Sequence, residues 1–455
     1  MKKHLLASAV AIASSVLLSA CIDNIEDETE TESRAQVTRG TIDGFGSVIV
    51  GGVHFDSDGA TFSVDDRAGA QADLRVGQVV TVKGSHDGAE GVALEIIYDV
   101  NVEGTVTAVD ASAGTLTVLG QVITTDAMTV FEALDLATLS TGVRVEVSGY
   151  ASGNGSILAT YVALDDQDQD DEELSGTLAQ LDTGAQTFRI GQQTVSYASL
   201  TSMDLDGASL ANGLSVEVEG RLSGDIFVAS SIEAEERDFE EETELEMQGV
   251  ILAVNSETQE ITVNGLTVRY DDETEFEHGG IAALVVGARV ELEGYVDADG
   301  VLIAEEIEFE DTVEIKLEGQ VQATTATTVT VMGVEVTVDA RTRVRDQRDD
   351  ETYFNLEMLQ TGDYVELVVQ QTADGQYRAR RLERDETDTE SSVSAPIEAV
   401  DVQAGTVTLL GLSFNIGQLA PSLIASLSVG LSIEIEGTFD GSVFTVVSLE
   451  VDEQD

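Results

Sequence analysis

One cysteine serves all 455 residues, so no disulfide forms within the chain and its cores rest on packing alone. Tryptophan is absent, aromatics are 5% of the residues, and two prolines are the only rigid breaks. Cationic residues are scarcest relative to need: 22 Lys plus Arg face 86 Asp plus Glu, a formal net charge of −64. That balance excludes nucleic acid as a partner, because such binding neutralises phosphates with a basic surface. It also sets the body of the protein against an anionic bilayer. Four of the cations are lysines, and two of those, Lys2 and Lys3, sit at the extreme amino terminus. Hydrophobic residues still make up 42%, mostly aliphatic, enough for real cores and unlike a disordered acidic chain. Two accounts of the acidity stand side by side: adaptation to high salt, and a very soluble envelope protein.

The cysteine has a telling address. Lys2 and Lys3 precede an apolar run from Leu5 to Leu18, followed by Ser19, Ala20 and Cys21. This is the layout of an export signal, and no other stretch is apolar enough to span a membrane. Leu18-Ser19-Ala20-Cys21 resembles the bacterial lipobox. The resemblance implies a diacylglycerol on the Cys21 thiol, cleavage before it, and acylation of the new amino terminus. Ile22 stands where an aspartate would retain such a protein at the inner membrane, which points to the outer membrane, on its periplasmic or cell-surface face. The membrane partner is thus expected through the lipid on Cys21.

Six repeats follow an acidic spacer. Each opens with a strand, usually on glycine (EGTVTAVD at Glu103, SGTLAQLD at Ser175, QGVILAVN at Gln248), then a hairpin turning on glycine, as in TLTVLGQVITT. A less regular segment, its leucines spaced as on one or two helical turns, ends on Gly77, Gly142, Gly213, Gly287, Gly362 or Gly430, before an alternating strand such as VRVEVSG and a final strand. Period-two alternation predicts antiparallel strands with valine, isoleucine and leucine inward and the glutamates of VEVSG and VEVEG on the outer face. The fold class expected is all-β: tandem small five-stranded OB-like antiparallel barrels. The divisions are signal 1–20, acidic spacer 21–36, and barrels 37–100, 101–166, 173–236, 244–312, 315–384 and 393–455. Acidic runs between them, such as LDDQDQDDEEL from Leu164 to Leu174, predict a string of beads.

GFGSVIVGGVHFD from Gly44, LRVGQVVTVKG, and the span from GTLTVLGQVITT to GSILATYV resemble the bacterial DUF5666 domain. That family's members are envelope proteins with tandem copies and no assigned activity, so the resemblance implies fold and compartment and carries no chemistry. Later units depart in detail: Val369 replaces the glycine after the fifth unit's fourth strand, and the sixth unit lacks the opening glycine.

No catalytic constellation stands out. His54, His86 and His278 lie in different repeats with no spacing of a zinc site or nucleophile relay, and no nucleophile elbow, phosphate loop or dinucleotide fingerprint occurs. The expectation is a noncatalytic protein without cofactor; an envelope hydrolase is the enzymatic rival. Asp168, Asp170, Asp171, Glu172 and Glu173 offer hard oxygens for weak calcium binding at the acidic joint, without the glycine and glutamate positions of an EF-hand. A cation-dependent adhesin or glycan-binding array is therefore the second rival. Eight of eighteen arginines crowd the fifth unit. Arg341, Arg343, Arg345, Arg378 and Arg380 are candidates for docking an acidic partner: an envelope protein, a polyanionic glycan, lipid phosphate, or the acidic joint of a second copy. The alternative is a local ion-pair network with Asp346, Asp349, Asp350 and Glu383.

Overall fold

In a computed structural model of the protein, residues 35–451 are described apart from 153–154, 166–171, 206, 235–238, 240, 311–314, 350 and 373–374. The signal, Cys21 and the spacer up to residue 34 lie outside the described residues. The rest is almost entirely β, with one short α-helix, Pro421–Ile424.

The first unit shows how the repeat folds. Gln36–Phe45 pairs with Val48–Val50, which pairs with Val53–Asp56; that strand runs parallel to Glu90–Tyr98, which pairs with Val79–Asp87, which returns to Gln36–Phe45. Five strands thus close an OB-like circuit, and the same circuit of pairings recurs in the second to fifth units. The closing glycine explains why the circuit shuts where it does. Gly77 takes a φ of +96° and its N–H donates to Ile42 O at 2.9 Å; Gly142 donates in the same way to Val106 O, and Gly430 to Ile397 O. A side chain would strain that left-handed turn, which brings the fourth strand back onto the first.

The expectation of separate barrels is wrong. Strands of different units pair directly, and the units stack in the manner of a β-solenoid, although neighbours in space are not always neighbours in sequence. Gln36–Arg39 of the first unit lies parallel to Glu244–Met247 of the fourth. Val102 and Glu103 of the second pair with Leu174 and Glu173 of the third. Lys316–Glu318 of the fifth pair with Ser392–Ser394 of the sixth. The cores merge accordingly: one apolar cluster spans the second and third units, and another the fifth and sixth. Val79, Tyr150 and Val250, from the first, second and fourth units, pack together in a cluster of their own. The physical cause is the length of the opening strands, 10 to 12 residues in Gln36–Phe45, Glu172–Asp182 and Glu244–Asn255. Their ends outrun the barrel, and an unpaired strand edge seeks a partner.

A second correction concerns the leucine-spaced segment, where the spacing predicts one or two helical turns. The first, fourth and fifth units do hold short 3-10 turns there, at Gln71–Asp73, Ile281–Ala283 and Leu356–Met358. In addition, an extra strand in this connection pairs parallel with the final strand: Val130–Glu132 with Tyr161–Ala163, and Arg343–Asp346 with Arg381–Arg384. In the fifth unit that extra strand carries Arg343 and Arg345, and the final strand beside it Arg378, Arg380, Arg381 and Arg384.

Candidate functional site: an arginine junction and an acidic cleft

Alternation along Arg343–Asp346 sends Arg343 and Arg345 to one side of their strand, and that side is covered by the second unit. Arg343 donates to the main-chain oxygen of Met128, Arg345 to Phe131 O at 2.7 Å, and Arg381 to Thr129 O at 3.3 Å. Three guanidinium groups of the fifth unit thus satisfy three carbonyls of one stretch of the second. Arg343 also faces Asp43 of the first unit, and Arg341 reaches Glu308 (2.8 Å) and Glu291 (3.6 Å) of the fourth. Arg380 pairs with Glu310, whereas Arg378 stays local, 3.9 Å from Asp339. In the opposite direction, Arg289 of the fourth unit holds Asp126 of the second.

Arg289, Arg341, Arg343 and Arg380, with Asp43, Asp126 and Met128, line a cavity of about 100 Å³ where four units converge. Above it, the Tyr150 hydroxyl bonds Thr41 Oγ1 at 2.9 Å and donates to Gln248 Oε1 at 3.1 Å, while Gln248 Nε2 donates to Glu291 at 3.2 Å. Every buried polar group in that chain of bonds has a partner, the condition under which burial is tolerated. Burial raises the Asp43 carboxyl to about 7 despite Arg343 beside it, and burial lowers Arg343 from its ordinary value. Burial also works against the charge of Arg341, but Glu291 and Glu308 outweigh it and raise the guanidinium further.

The proposed local network is present as well. Arg384 grips Asp346 through Nε at 2.8 Å and stands 4.4 Å over the Phe354 ring; Arg348 bonds Asp363 and Asp349; Arg381 pairs with Glu366 and Glu383. Asp350 lies outside the described residues. The five candidate docking arginines therefore do not form one free face. Arg343 is 6% exposed, and its acidic partner belongs to the same chain. Of the five candidates Arg343 and Arg345 reach residues 128–131, Arg381 outside the five does so too, and Arg378 does not. Nothing in the fifth unit's sequence names residues 128–131.

A second feature was missed outright. Glu146, Glu103, Glu173 and Glu219 stand directly opposite one another across four adjacent strands, the first two in the second unit and the others in the third. They edge a cleft of about 640 Å³ lined by nine carboxylates and two arginines, so its field is strongly negative. Glu146 accepts from the Tyr98 hydroxyl and from Gln78 at 3.2 Å; Arg144 bonds Glu103 at 2.7 Å and Asp165 at 2.6 Å. Oε1 of Glu173 is sealed from solvent and has no hydrogen-bond partner. Like charges opposite one another disfavour a sheet, and the carboxyls here are held neutral chiefly by burial, with nearby acids adding to it. Burial and then Asp165 push Glu103 up to about 7, burial and then Glu146 push Asp65 up to about 7, and burial and then Glu217 drive Glu173 well above the carboxylate range.

Five stretches match the model of a domain of unknown function, DUF5666: residues 35–97, 103–163, 175–233, 248–308 and 318–383, well over half the chain. The chain belongs to the DUF5666 family. No curated protein matches it. A solved structure titled drosophila Unr CSD456 is similar at 13% identity over 47% of this chain and 97% of that one, with a TM-score of 0.12, too low to carry an argument.

Set against the five DUF5666 copies, the remaining candidates fall into place. His54, in the first copy, is a half-buried strand residue with Nδ1 3.4 Å from Ser47 Oγ. His86 lies 3.5 Å from Glu246. His278, in the fourth copy, converges with Glu277 and Glu308, three groups whose ligand atoms lie within 4.8 Å of one another. Arg341 already occupies the other oxygen of Glu308. Of the acidic joint between the second and third copies, Asp168, Asp170 and Asp171 lie outside the described residues. Glu172 accepts from Leu222 N at 2.6 Å, and Glu173 belongs to the glutamate row.

Proposed function

We propose that this DUF5666 chain is a noncatalytic structural or binding protein of the bacterial cell envelope, lipid-anchored to the outer membrane through Cys21. One observation carries the structural part of this reading: guanidinium-to-carbonyl bonds and shared sheets join repeats that are distant in sequence. Catalysis needs one elaborated cleft, whereas here the most elaborate chemistry is spent on holding units together. The tether rests on the sequence, where an apolar run meets a lone cysteine, and on a body whose charge would not hold it to an anionic leaflet.

Fractionation of cells carrying Cys21→Ser tests it. The native protein should sediment with the outer membrane, and the variant should appear as soluble protein or as uncleaved precursor. A variant that still fractionates with the outer membrane would remove the tether from the reading.

A further inference from the structure

The extra strand ends on an acid in the second, fourth and fifth units, and that acid is held differently in each. In the second, Glu132 stands opposite Ala163; it pairs with Arg75 at 3.2 Å and accepts from the Tyr161 hydroxyl at 3.0 Å. In the fifth, Asp346 stands opposite Arg384 and is gripped by it. In the fourth, Glu277 stands opposite another acid, Glu308, and no group among the described residues bonds the Glu277 carboxylate. Like charges directly opposite one another weaken such a pairing. The next residue, His278, turns left-handed at a φ of +55° and brings its Nδ1 to 3.2 Å from Glu308 Oε1. The turn itself does not call for histidine, because the second unit makes it with Ala133 at +57°. What histidine adds is an imidazole beside two carboxylates, the ligand atoms of all three within 4.8 Å of one another. No other trio of His, Cys, Asp or Glu among the described residues converges in this way.

We propose that Glu277, His278 and Glu308 bind a divalent transition-metal ion of the zinc class. Ligands of a tetrahedral ion at about 2.0–2.1 Å stand about 3.3 Å apart, and the separation of 3.2 Å between His278 and Glu308 already meets that spacing. Glu277 is exposed, so its side chain can swing to close the remaining distance. Arg341 is no obstacle: it bonds Oε2 of Glu308, whereas His278 faces Oε1. One imidazole with two carboxylates favours zinc over calcium and magnesium, which prefer oxygen alone. Three protein ligands leave the remaining position to water. The ion supplies the counter-charge that Arg75 and Arg384 supply in their units, and it fastens the end of Glu275–Glu277 to Leu302–Phe309.

Calorimetric titration of the full chain with zinc chloride at neutral pH, in excess magnesium chloride to occupy the scattered surface acids, tests the site. Saturable zinc binding is expected to persist in the magnesium, and zinc should raise the melting temperature. His278→Ala should weaken binding by about tenfold or more, since even an outer partner of a metal ligand is worth that much. The same variant should melt as the native chain does without metal, because Ala133 shows that the turn accepts alanine, and zinc should no longer raise its melting temperature. Glu277→Gln should weaken binding by about the same factor and provides the test if the first variant fails to fold. Glu335→Gln, which changes an exposed glutamate of the fifth unit, should bind as the native chain does. Absence of saturable zinc binding, its loss in excess magnesium, native-like binding by either His278→Ala or Glu277→Gln, or loss of binding in Glu335→Gln would each overturn the proposal.

Discussion

Nε of Arg343, in the fifth repeat, lies 3.7 Å from Oδ1 of Asp43, in the first, and both side chains are buried. The pair is close enough for strong attraction and too long for a hydrogen bond, while the guanidinium donates instead to Met128 O. Arg343→Met leaves Asp43 buried without its counter-charge and Met128 O without its donor. Breaking a buried pair in this way costs on the order of 3 kcal/mol. Adding Asp43→Asn should return part of that loss, because a neutral partner needs no counter-charge. Thermal melts of the two single variants and the double give the coupling directly. Strictly additive losses would show that the two groups do not sense each other.

The same pair marks the limit of what the sequence discloses. The glycine before each fourth strand was legible, and so was the alternation that buries Val145 and Val147 on either side of Glu146. Both are local signals: a left-handed turn and a two-residue period. The stacking was not legible. Alternation says that Glu146 points out of its own barrel, but not that the first unit's Tyr98 stands over it, so a glutamate read as solvent-facing is enclosed between repeats. Likewise the arginine cluster announced itself by composition, whereas its partners at 128–131 are ordinary residues. The glutamate row needs the register between the second and third units, which no pattern within either one contains.

Stability should be greatest in mild acid. Burial, the first cause in each case, raises Asp43, Asp65, Glu103 and Glu318 to about 7, Glu246 to about 8 and Glu217 to about 9. Above the ordinary carboxyl value the folded chain therefore holds more protons than the unfolded one, and stability falls as pH climbs through those values. In the other direction, Asp126 and Asp346 are held below the ordinary value, by Arg289 and Arg384 against the cost of burial, and their contribution is lost as pH falls through their folded values. The melting temperature in metal-free buffer should be higher at about pH 5 than at about pH 8. A curve rising from the first to the second would contradict this account of the buried carboxylates.

Gly149 sits at a bulge between the fourth and fifth strands of its unit, where the register shifts after Ser148. A Cβ there would run into the carbonyl oxygen of Leu158, part of the backbone, which does not yield as a side-chain tip does. Gly84, Gly220, Gly294 and Gly437 meet the same obstacle in their units. Gly149→Ala should cost about 1–3 kcal/mol, the range of overpacking, read as a lower midpoint in urea. Gly142→Ala, at a φ of +92° with open space around it, should cost through backbone strain instead. The fifth unit keeps the bulge with Val369 in this position, and nothing in the structure explains how the larger side chain is accommodated.

Salt should stabilise the chain, and the arrangement of its cations says why. Exposed ion pairs contribute about 0–1 kcal/mol each and weaken as salt is added, so a protein held by such pairs loses stability. Here the guanidinium groups bonded across repeats include Arg343 and Arg381, 6% and 7% exposed, where ions in solution screen little. The repulsion, by contrast, comes from a net charge of −64 spread largely over the surface, which salt screens efficiently. Between about 0.1 and 1 M sodium chloride the screening length drops from roughly 10 to 3 Å. The melting temperature of the full chain should climb over that interval. Replacing Arg343 by methionine should lower the whole curve without changing its slope, since that buried group takes no part in the screened repulsion. A flat native curve would mean that the fold already neutralises its acids, and a slope that changed with Arg343 would place that guanidinium within reach of solvent ions.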